Sequence, residues 1–401
     1  MHKTKFALRI LAAVFAVLVI SSPALAYEKP EIFAQKGHTG DINSMAFFRD
    51  GRHIISASDD TTLKLWDSAT GREIRTFKGH TNWVHSVALS PNERFALSGG
   101  SDGNVMIWDL TAGEVRETFR HSRLSLVTSV CFSPDGKYAF SGSYDKTIKM
   151  WDLLHFPIKV QKVQKGSPAE LAGIRPGDVI TEIDGGTNIT WQDFVSVIQK
   201  NPGRQVSVEA KRDSKKVSFK VIPKPVMVKD KTGRDVAIGR IGIVCASPEA
   251  IKTFEEQDVV QSIAVSPDGK YLLSGSNYGY GQPVKLWDIE TGRKVMAFPG
   301  HTEDVNSVTF SPDGKYALTG SADKTVRLWD ISTGRSIMTF TGHKSAIRSV
   351  TFSPDGKYML TASGGFLEGK KVNTLKLWEV ETGKELKTFN DVTGPISDVV
   401  I

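Results

Sequence analysis

Two cysteines in 401 residues are too few for a disulfide-built fold, and no Cys/His cluster has metal-ligand spacing. There is no His-Glu-x-x-His, which excludes the commonest helical zinc-hydrolase site. Beyond the first segment no apolar run approaches the ~18 residues that mark a membrane span. One-sided charge is lacking too. The net charge of +7 divides into +3 on residues 1–26, +7 on 153–248 (16 Lys/Arg against 9 Asp/Glu) and −3 on the remainder. A generally basic nucleic-acid binder is thereby excluded, and no aromatic platform is interleaved with the basic cluster around Lys211–Arg234.

The first segment reads as an export address. Lys3, Lys5 and Arg9 precede the apolar run Ile10–Ile20, followed by Ala24-Leu25-Ala26. That is the n-region, h-region and A-x-A pattern of a cleavable signal peptide over 1–26, with a bacterial periplasm or the cell exterior as destination. An oxidising compartment raises the question of a Cys131–Cys245 pair. Spacing leaves it open, and Cys131, in an alternating strand, reads as a buried unpaired thiol.

Six of the eight tryptophans share one context: Trp66-Asp67, Trp108-Asp109, Trp151-Asp152, Trp287-Asp288, Trp329-Asp330 and Trp378-Glu379. Gly-His pairs open four of the units (Gly37-His38, Gly79-His80, Gly300-His301, Gly342-His343), and Arg120-His121 opens the third. Turns such as Ser311-Pro312-Asp313-Gly314-Lys315 lie between them, so each unit reads as four short alternating strands. The Gly-His…Trp-Asp signature at this period resembles the WD-repeat β-propeller family. The resemblance implies an all-β ring of six clear repeats plus a partial seventh. Glu31-Ile32-Phe33 resembles an outer strand and Pro395–Ile401 an innermost one, which leaves two readings: a fragment of a seven-bladed ring, or six blades closed by an overlapping strand.

Intervals between the six tryptophans run 42, 43, 136, 42 and 49 residues. The third is long enough to hold an extra small domain. Ile251-Lys252-Thr253-Phe254 matches the outer-strand segments Ile74-Arg75-Thr76-Phe77 and Ile337-Met338-Thr339-Phe340, which places the insertion between the third and fourth strands of blade three. Within it, Gly166-Ser167-Pro168-Ala169, Ala172-Gly173 and Gly177-Asp178-Val179-Ile180 resemble the PDZ domains of bacterial high-temperature-requirement and site-2-type proteases. A helix is expected from about Thr190 to Lys200, with Phe194, Val197 and Ile198 buried, and strands around Val206–Ala210 and Val217–Val221. The expected organisation is a signal peptide (1–26), blades one to three (27–153), an α+β PDZ insertion (154–248), and the rest of the propeller (249–401).

PDZ domains add an extended peptide to a sheet edge and hold its terminal carboxylate on backbone amides. Gly239-Arg240-Ile241-Gly242-Ile243 matches the family's carboxylate loop, and its place after the strands implies a circularly permuted PDZ of the site-2 type. The resemblance assigns the carboxylate amides and pairing strand to Ile241, Gly242 and Ile243, extra charge to Arg240, and a pocket wall to Val195.

Nucleophilic chemistry has candidates by residue type. His38, Ser56, Asp60 and Trp66 recur as His80, Ser98, Asp102, Trp108; as His121, Ser141, Asp145, Trp151; and as His301, Thr319, Asp323, Trp329. One active site needs one such set, so four copies read as the structural tetrad of WD blades. Gly99–Gly103 fits G-x-S-x-G and Gly364–Lys370 fits most of a P-loop, but both fall in strand-to-strand turns. Long turns at Asn277–Gly281 and Gly364–Asn373 depart from the repeat, and the fourth blade lacks its Gly-His pair and turn aspartate, with Gly281 and Gln282 near that place. The expected function is an exported, non-catalytic scaffold that uses no cofactor or metal. It binds protein or peptide partners, not nucleic acid, and has no integral membrane segment after signal cleavage. An accessory subunit of an envelope protease is the alternative. The oligomeric state is left open.

Overall fold

The computed structural model describes residues 37–399 apart from 154–157, 188, 190, 230–234, 246–248, 278, 280–282, 368–369 and 390–396. The export segment, residues 27–36, Thr190, Tyr278, Tyr280 to Gln282 and Pro395 therefore lie outside the described residues. The chain separates into two compact units. One comprises residues up to 114, 121–150 and those from 252 onward; the other comprises 115–120 and 151–251.

Six four-stranded antiparallel sheets correspond to the six repeats, their first strands being Ile42–Phe47, Val84–Leu89, Val127–Phe132, Val260–Val265, Val305–Phe310 and Ile347–Phe352. Blade three is completed from a distance. Lys252–Glu255 pairs with Thr147–Asp152, in the register Thr147↔Glu255 to Met150↔Lys252. The second strands (His53–Ser58, Phe95–Gly100, Tyr138–Ser143 and their equivalents) are buried on both faces, so they read as runs of small and apolar residues without alternation. Their glycines mark where blades approach closest: a Cβ on Gly99 would meet Val127 Cγ1 at 2.4 Å, and one on Gly142 would meet Val260 Cγ1 at 2.6 Å.

The Trp-Asp pair does two separate jobs. The six tryptophans are buried, and Phe77, Phe254, Phe298 and Phe340 of the preceding outer strands meet Trp108, Trp287, Trp329 and Trp378 edge-on at 5.6–6.0 Å. The aspartates instead hold the following turn; Asp67, Asp288 and Asp330 accept from the amides of Thr70, Thr291 and Thr333. Between blades runs a ladder of serines. The hydroxyls of Ser44, Ser86, Ser129, Ser262, Ser307 and Ser349 accept from the amides of Val87, Val130, Ile263, Val308, Val350 and Val399, at 3.1–3.3 Å. At the seventh position stands Asp398, which accepts from Met45 N and Ser44 Oγ (both 3.2 Å) and from Ser349 Oγ (2.7 Å). The ladder thus returns to blade one. Burial pushes the Asp398 carboxyl up against these four donors, Val399 N being the fourth.

The repeated Ser-His-Asp sets are spent inside the blades. His38 Nδ1 meets Asp60 at 2.7 Å, its Nε2 meets Ser56 Oγ at 2.8 Å, and Trp66 Nε1 donates to the same Oγ at 2.8 Å. Blades two and five repeat this with His80–Asp102–Ser98–Trp108 and His301–Asp323–Thr319–Trp329. Each hydroxyl donates to an imidazole and accepts from an indole, and Ser56, Ser98 and Thr319 are at most 1% exposed. No substrate reaches them. In blade three the ring is turned round, with His121 Nδ1 on Ser141 (2.7 Å) and Nε2 toward Asp145 (3.3 Å) and Thr147 (2.9 Å). Blade six has no aspartate here: His343 bonds Thr361 through Nε2, and Ser363 and Thr374 through Nδ1.

Blade four replaces the imidazole with an ion pair. Glu256 accepts from Ser274 Oγ and from Lys285 Nζ, while Trp287 Nε1 donates to Ser274 at 2.9 Å. Both charged side chains are buried. The long segment at Gly364–Asn373 is also more than a turn. It extends the hairpin of Tyr358–Leu367 and Lys370–Glu379 to the pair Leu367↔Lys370, which removes any P-loop geometry. The side chains of Phe366, Leu367, Lys370 and Lys371, and all of Glu368, lie outside the described residues.

Three stability outcomes follow. Glu256→Ala leaves Lys285 buried and unpaired and should cost about 3–5 kcal/mol, whereas Glu256→Leu with Lys285→Met should cost far less; urea denaturation of both variants checks this. Asp398→Ser restores the ladder residue and should keep the melting temperature, while Asp398→Leu should lower stability by about 1–3 kcal/mol. The pH outcome depends on sign. Burial, reinforced by Lys376, lowers the His343 imidazole from 6.5 to about 4, so the folded protein holds it neutral. Its contribution is complete above pH 6.5 and is lost as pH falls toward 4, about 3 kcal/mol in all. Asp102 and Asp145 are held at about 2: burial opposes ionisation, but hydrogen bonds from His80 and His121 outweigh it. Their contribution is lost only below the ordinary carboxylate range. Denaturation midpoints measured from pH 7.5 down to 2 should therefore fall in two stages, and His343→Gln should shrink the first, to which the lowered His38, His85 and His121 also contribute.

Candidate functional site

The second unit is built around one mixed-length sheet in the spatial order Lys215–Val221, Val206–Arg212, Val179–Ile183, Ile158–Val163, Ile243–Cys245. Helix Trp191–Lys200 buries Phe194 and Ile198 and half-buries Val197 against it, as its spacing predicts. A short helix, Pro168–Leu171, starts on a reciprocal cap: Ser167 Oγ accepts from Glu170 N at 3.3 Å while the Glu170 carboxylate takes Gly166 N. The Gly177-Asp178 turn is locked by a fork. Arg212 donates to both Asp178 oxygens (2.7 and 2.8 Å) and to Gly173 O (2.7 Å), and Arg175 N adds a fourth bond at 2.8 Å. Burial works against the Asp178 charge, but these donors hold its carboxyl below the usual range. One motif therefore fixes the loop before Val179 to the end of the neighbouring strand Val206–Arg212.

The last strand, Ile243–Cys245, has one neighbour among the described residues, Ile158–Val163, in the register Val163↔Ile243, Lys162↔Val244, Val160↔Cys245. Its other edge pairs with no strand among the described residues. The turn leading into it is pinned by its carbonyls: Ala169 N donates to Ile241 O at 3.0 Å and Gln164 N donates to Gly242 O at 2.8 Å. Ile241 is buried in the domain's core. Gly242 sits at φ +76°, and a Cβ there would stand 2.5 Å from Ser167 Cβ. With both carbonyls turned toward 164–169, the amides of Ile241 and Gly242 find no acceptor among the described residues. Two adjacent N–H groups without an acceptor among the described residues, beside such an edge, have the arrangement that can seat an anion.

Arg240, Ile241, Gly242 and Ile243 are consecutive here, with Arg240 exposed at the end of strand Asp235–Arg240. Gly239, next to them, is pressed against Ile198 O at the end of the helix, which sets Trp191–Lys200 beside the turn. Val195 is half-buried on that helix and stands apart from the core cluster that takes Phe194, Val197 and Ile198. Sequence reasoning missed the hairpin Lys224–Lys229/Asp235–Arg240 that carries the turn. Its signal was present as Val226-x-Val228 and Val236-x-Ile238 on either side of a Lys/Asp/Gly loop. Sequence reasoning also missed Val244, exposed on the edge strand.

Other chemistry is sparse. Cys131 is a free, half-buried thiol, packed against the core of Phe140 and Ile148 and pushed up to about 12 by desolvation; the side chain of Cys245 lies outside the described residues. Among the described residues no cluster of three or more His, Cys, Asp or Glu side chains is arranged to hold a metal ion, and no helix is long and apolar enough to cross a membrane.

The chain matches the PDZ-domain family over residues 140–222. Its PDZ region is similar to that of the zinc metalloprotease RasP of Oceanobacillus iheyensis (32% identical over 85 residues, 21% of this chain and 20% of the relative). Similar stretches occur in the regulator of sigma-E protease RseP of Escherichia coli (33% over 102 residues, 25% and 21%) and the regulator of sigma-W protease RasP of Bacillus subtilis (36% over 86 residues, 21% and 19%). The chain spans about a fifth of the length of these relatives. The family described as WD domain, G-beta repeat matches at 30–67, 71–109, 113–152, 248–288, 292–330 and 334–367. With six repeats over more than half its length, the chain belongs to the WD-repeat family, with a PDZ domain set into the third blade.

Proposed function

We propose that this protein is an exported, non-enzymatic adaptor whose PDZ module captures protein C-termini while the propeller surface docks a second partner. The observation that carries the reading is the edge Ile243–Cys245, without a second partner strand among the described residues, preceded by the amides of Ile241 and Gly242, which have no acceptor among them. A peptide carboxylate on those amides would leave the peptide antiparallel to Ile243–Cys245, with backbone bonds supplying affinity and side-chain pockets selectivity. Arg240 would add charge to the seat, and Val195 would line the pocket for the terminal side chain. WD and PDZ domains are both protein-interaction modules, which supports a scaffold in place of a catalyst. Residues 1–26 support export, and 154–248 are the proposed limits of the binding domain, flanked by 27–153 and 249–401 of the propeller.

A second reading is favoured by the names of the PDZ relatives, which are proteases: the chain would be an accessory subunit presenting substrates to an envelope protease. Co-purification with a protease, and altered cleavage when the gene is deleted, separates it from the adaptor.

Fluorescence anisotropy with a panel of peptides tests the capture site. Free hydrophobic C-termini should bind the mature protein, and amidation should weaken binding at least tenfold. Arg240→Ala should weaken it severalfold, and Val195→Glu should shift the preferred last residue. Equal binding of free and amidated peptides would remove the carboxylate seat from the Ile241–Ile243 turn.

A further inference from the structure

The tetrad-bearing turns of blades two and three carry an apolar cluster that neither the fold nor the peptide edge uses. Trp83 is 53% exposed, Leu124 97% and Tyr144 47%. Each sits where a small polar turn residue would serve the repeat equally well. The three turns abut through their backbones. Ser101 N donates to Trp83 O at 2.8 Å, and His85 Nε2 meets Ser101 Oγ at 2.7 Å. The next residues of that turn lie against the loop before blade three, where His121 N and Ser122 N donate to Gly103 O and a Cβ on Gly103 would touch Ser122 O at 2.2 Å. The same loop reaches the third turn, where Tyr144 N donates to Leu126 O. Trp, Tyr and an aliphatic anchor on neighbouring turns have the composition of a binding hot spot.

Charge decides what fits. Arg123 and Lys146 are exposed on these turns, with Lys146 Nζ also donating to Gln257 O at 3.1 Å. The turns' own acids are turned inward: Asp102 is bound by His80, and Asp145 by His121 and Thr147. Asp59, the acid facing His85, is taken up by Asn43 Nδ2 at 2.7 Å. On the loop of Leu124 and the turn of Tyr144 the exposed charge is therefore positive, beside an apolar centre, while Asp41 and Asp59 lie on the blade-one side of His85. We propose that this face of blades two and three docks an acidic segment of a partner protein that carries an aromatic or aliphatic anchor. The anchor would pack on Trp83 and Leu124, with flanking carboxylates on Arg123 and Lys146. This names a place for the second partner of the adaptor reading, and it does not depend on the peptide edge.

The test is a selection from a random peptide library displayed with blocked C-termini, so that a terminal-carboxylate site takes no part. Mature protein is compared with Trp83→Ala, Leu124→Ala and Arg123→Glu variants. Expected is enrichment of peptides holding an aromatic or large aliphatic residue among aspartates and glutamates. The synthesised winners should bind at least tenfold more weakly to Trp83→Ala and to Arg123→Glu. Leu124 is almost wholly exposed, so Leu124→Ala cannot act through folding, and it too should lose affinity. No enrichment, enrichment of basic or uncharged sequences, or winners indifferent to all three variants would overturn the proposal. So would sedimentation showing that the cluster joins two copies of this chain, with dimerisation lost in Trp83→Ala. Free-C-terminal peptides measured in the same variants should be unaffected, which keeps failure here distinct from failure of the PDZ assignment.

Discussion

The propeller depends on one repeated contact, the hydroxyl of a first-strand serine accepting the amide of the next blade's first strand. Six such bonds, from Ser44–Val87 to Ser349–Val399, tie each innermost strand to its neighbour, and Asp398 makes the seventh. A single bond of this kind contributes only about 1 kcal/mol. Its force here is geometric: it sets the distance at which valines of one blade fill the space left by Gly99, Gly142, Gly275 and Gly320 of the blade before. Closure requires every step, so the aspartate at the seventh position bears the cost of a buried carboxyl to supply acceptors on both sides.

Within that frame, individual blades vary their polar cores freely so long as the indole N–H has an acceptor. Ser56, Ser98, Ser274, Thr319 and Thr361 all supply it, and what lies behind the hydroxyl differs: imidazole with aspartate, imidazole with hydroxyls, or a Glu256–Lys285 pair. This explains why a set with the residue types of a nucleophilic triad carries no chemistry. A catalytic serine needs a free lone pair facing substrate. Here the lone pair faces tryptophan and the surrounding strands exclude water. The insertion follows similar logic: blade three requires only that Lys252–Glu255 return to Thr147–Met150 in register, and the intervening chain is otherwise unconstrained.

What was legible in the sequence is what a residue does alone. Trp66, Asp67, the Ser-Pro-Asp-Gly-Lys turns and the Gly177-Asp178 motif each perform one local task that tolerates few alternatives, so they stand out by type and spacing. The helix stripe Phe194, Val197 and Ile198 was legible for the same reason. What stayed hidden is substitution by partnership. Glu256 stands in for a histidine only because Lys285 faces it from another strand. Asp398 stands in for a serine only because two hydroxyls converge on it. The hairpin Lys224–Arg240 escaped because its alternation is short and lysine-rich, and the Gly364–Asn373 segment reads as a long turn although its residues pair across two strands.

The two modules treat strand edges differently, and the proposed interaction sites follow from that difference. The ring links every first strand to the next, and the side chains raised on its turns offer contacts to other proteins. Trp83, Leu124 and Tyr144 are such side chains. The PDZ sheet ends on one side in a three-residue strand too short to attract indiscriminate pairing; in the proposed reading the two amides before it, without an acceptor among the described residues, favour a chain end bearing a carboxylate. A long open edge would accept any extended segment; a short one with a charged stop at its head selects for termini. In the proposed reading, selectivity arises from backbone left unpaired in one module and from apolar side chains left uncovered in the other, with neither site requiring the other's geometry.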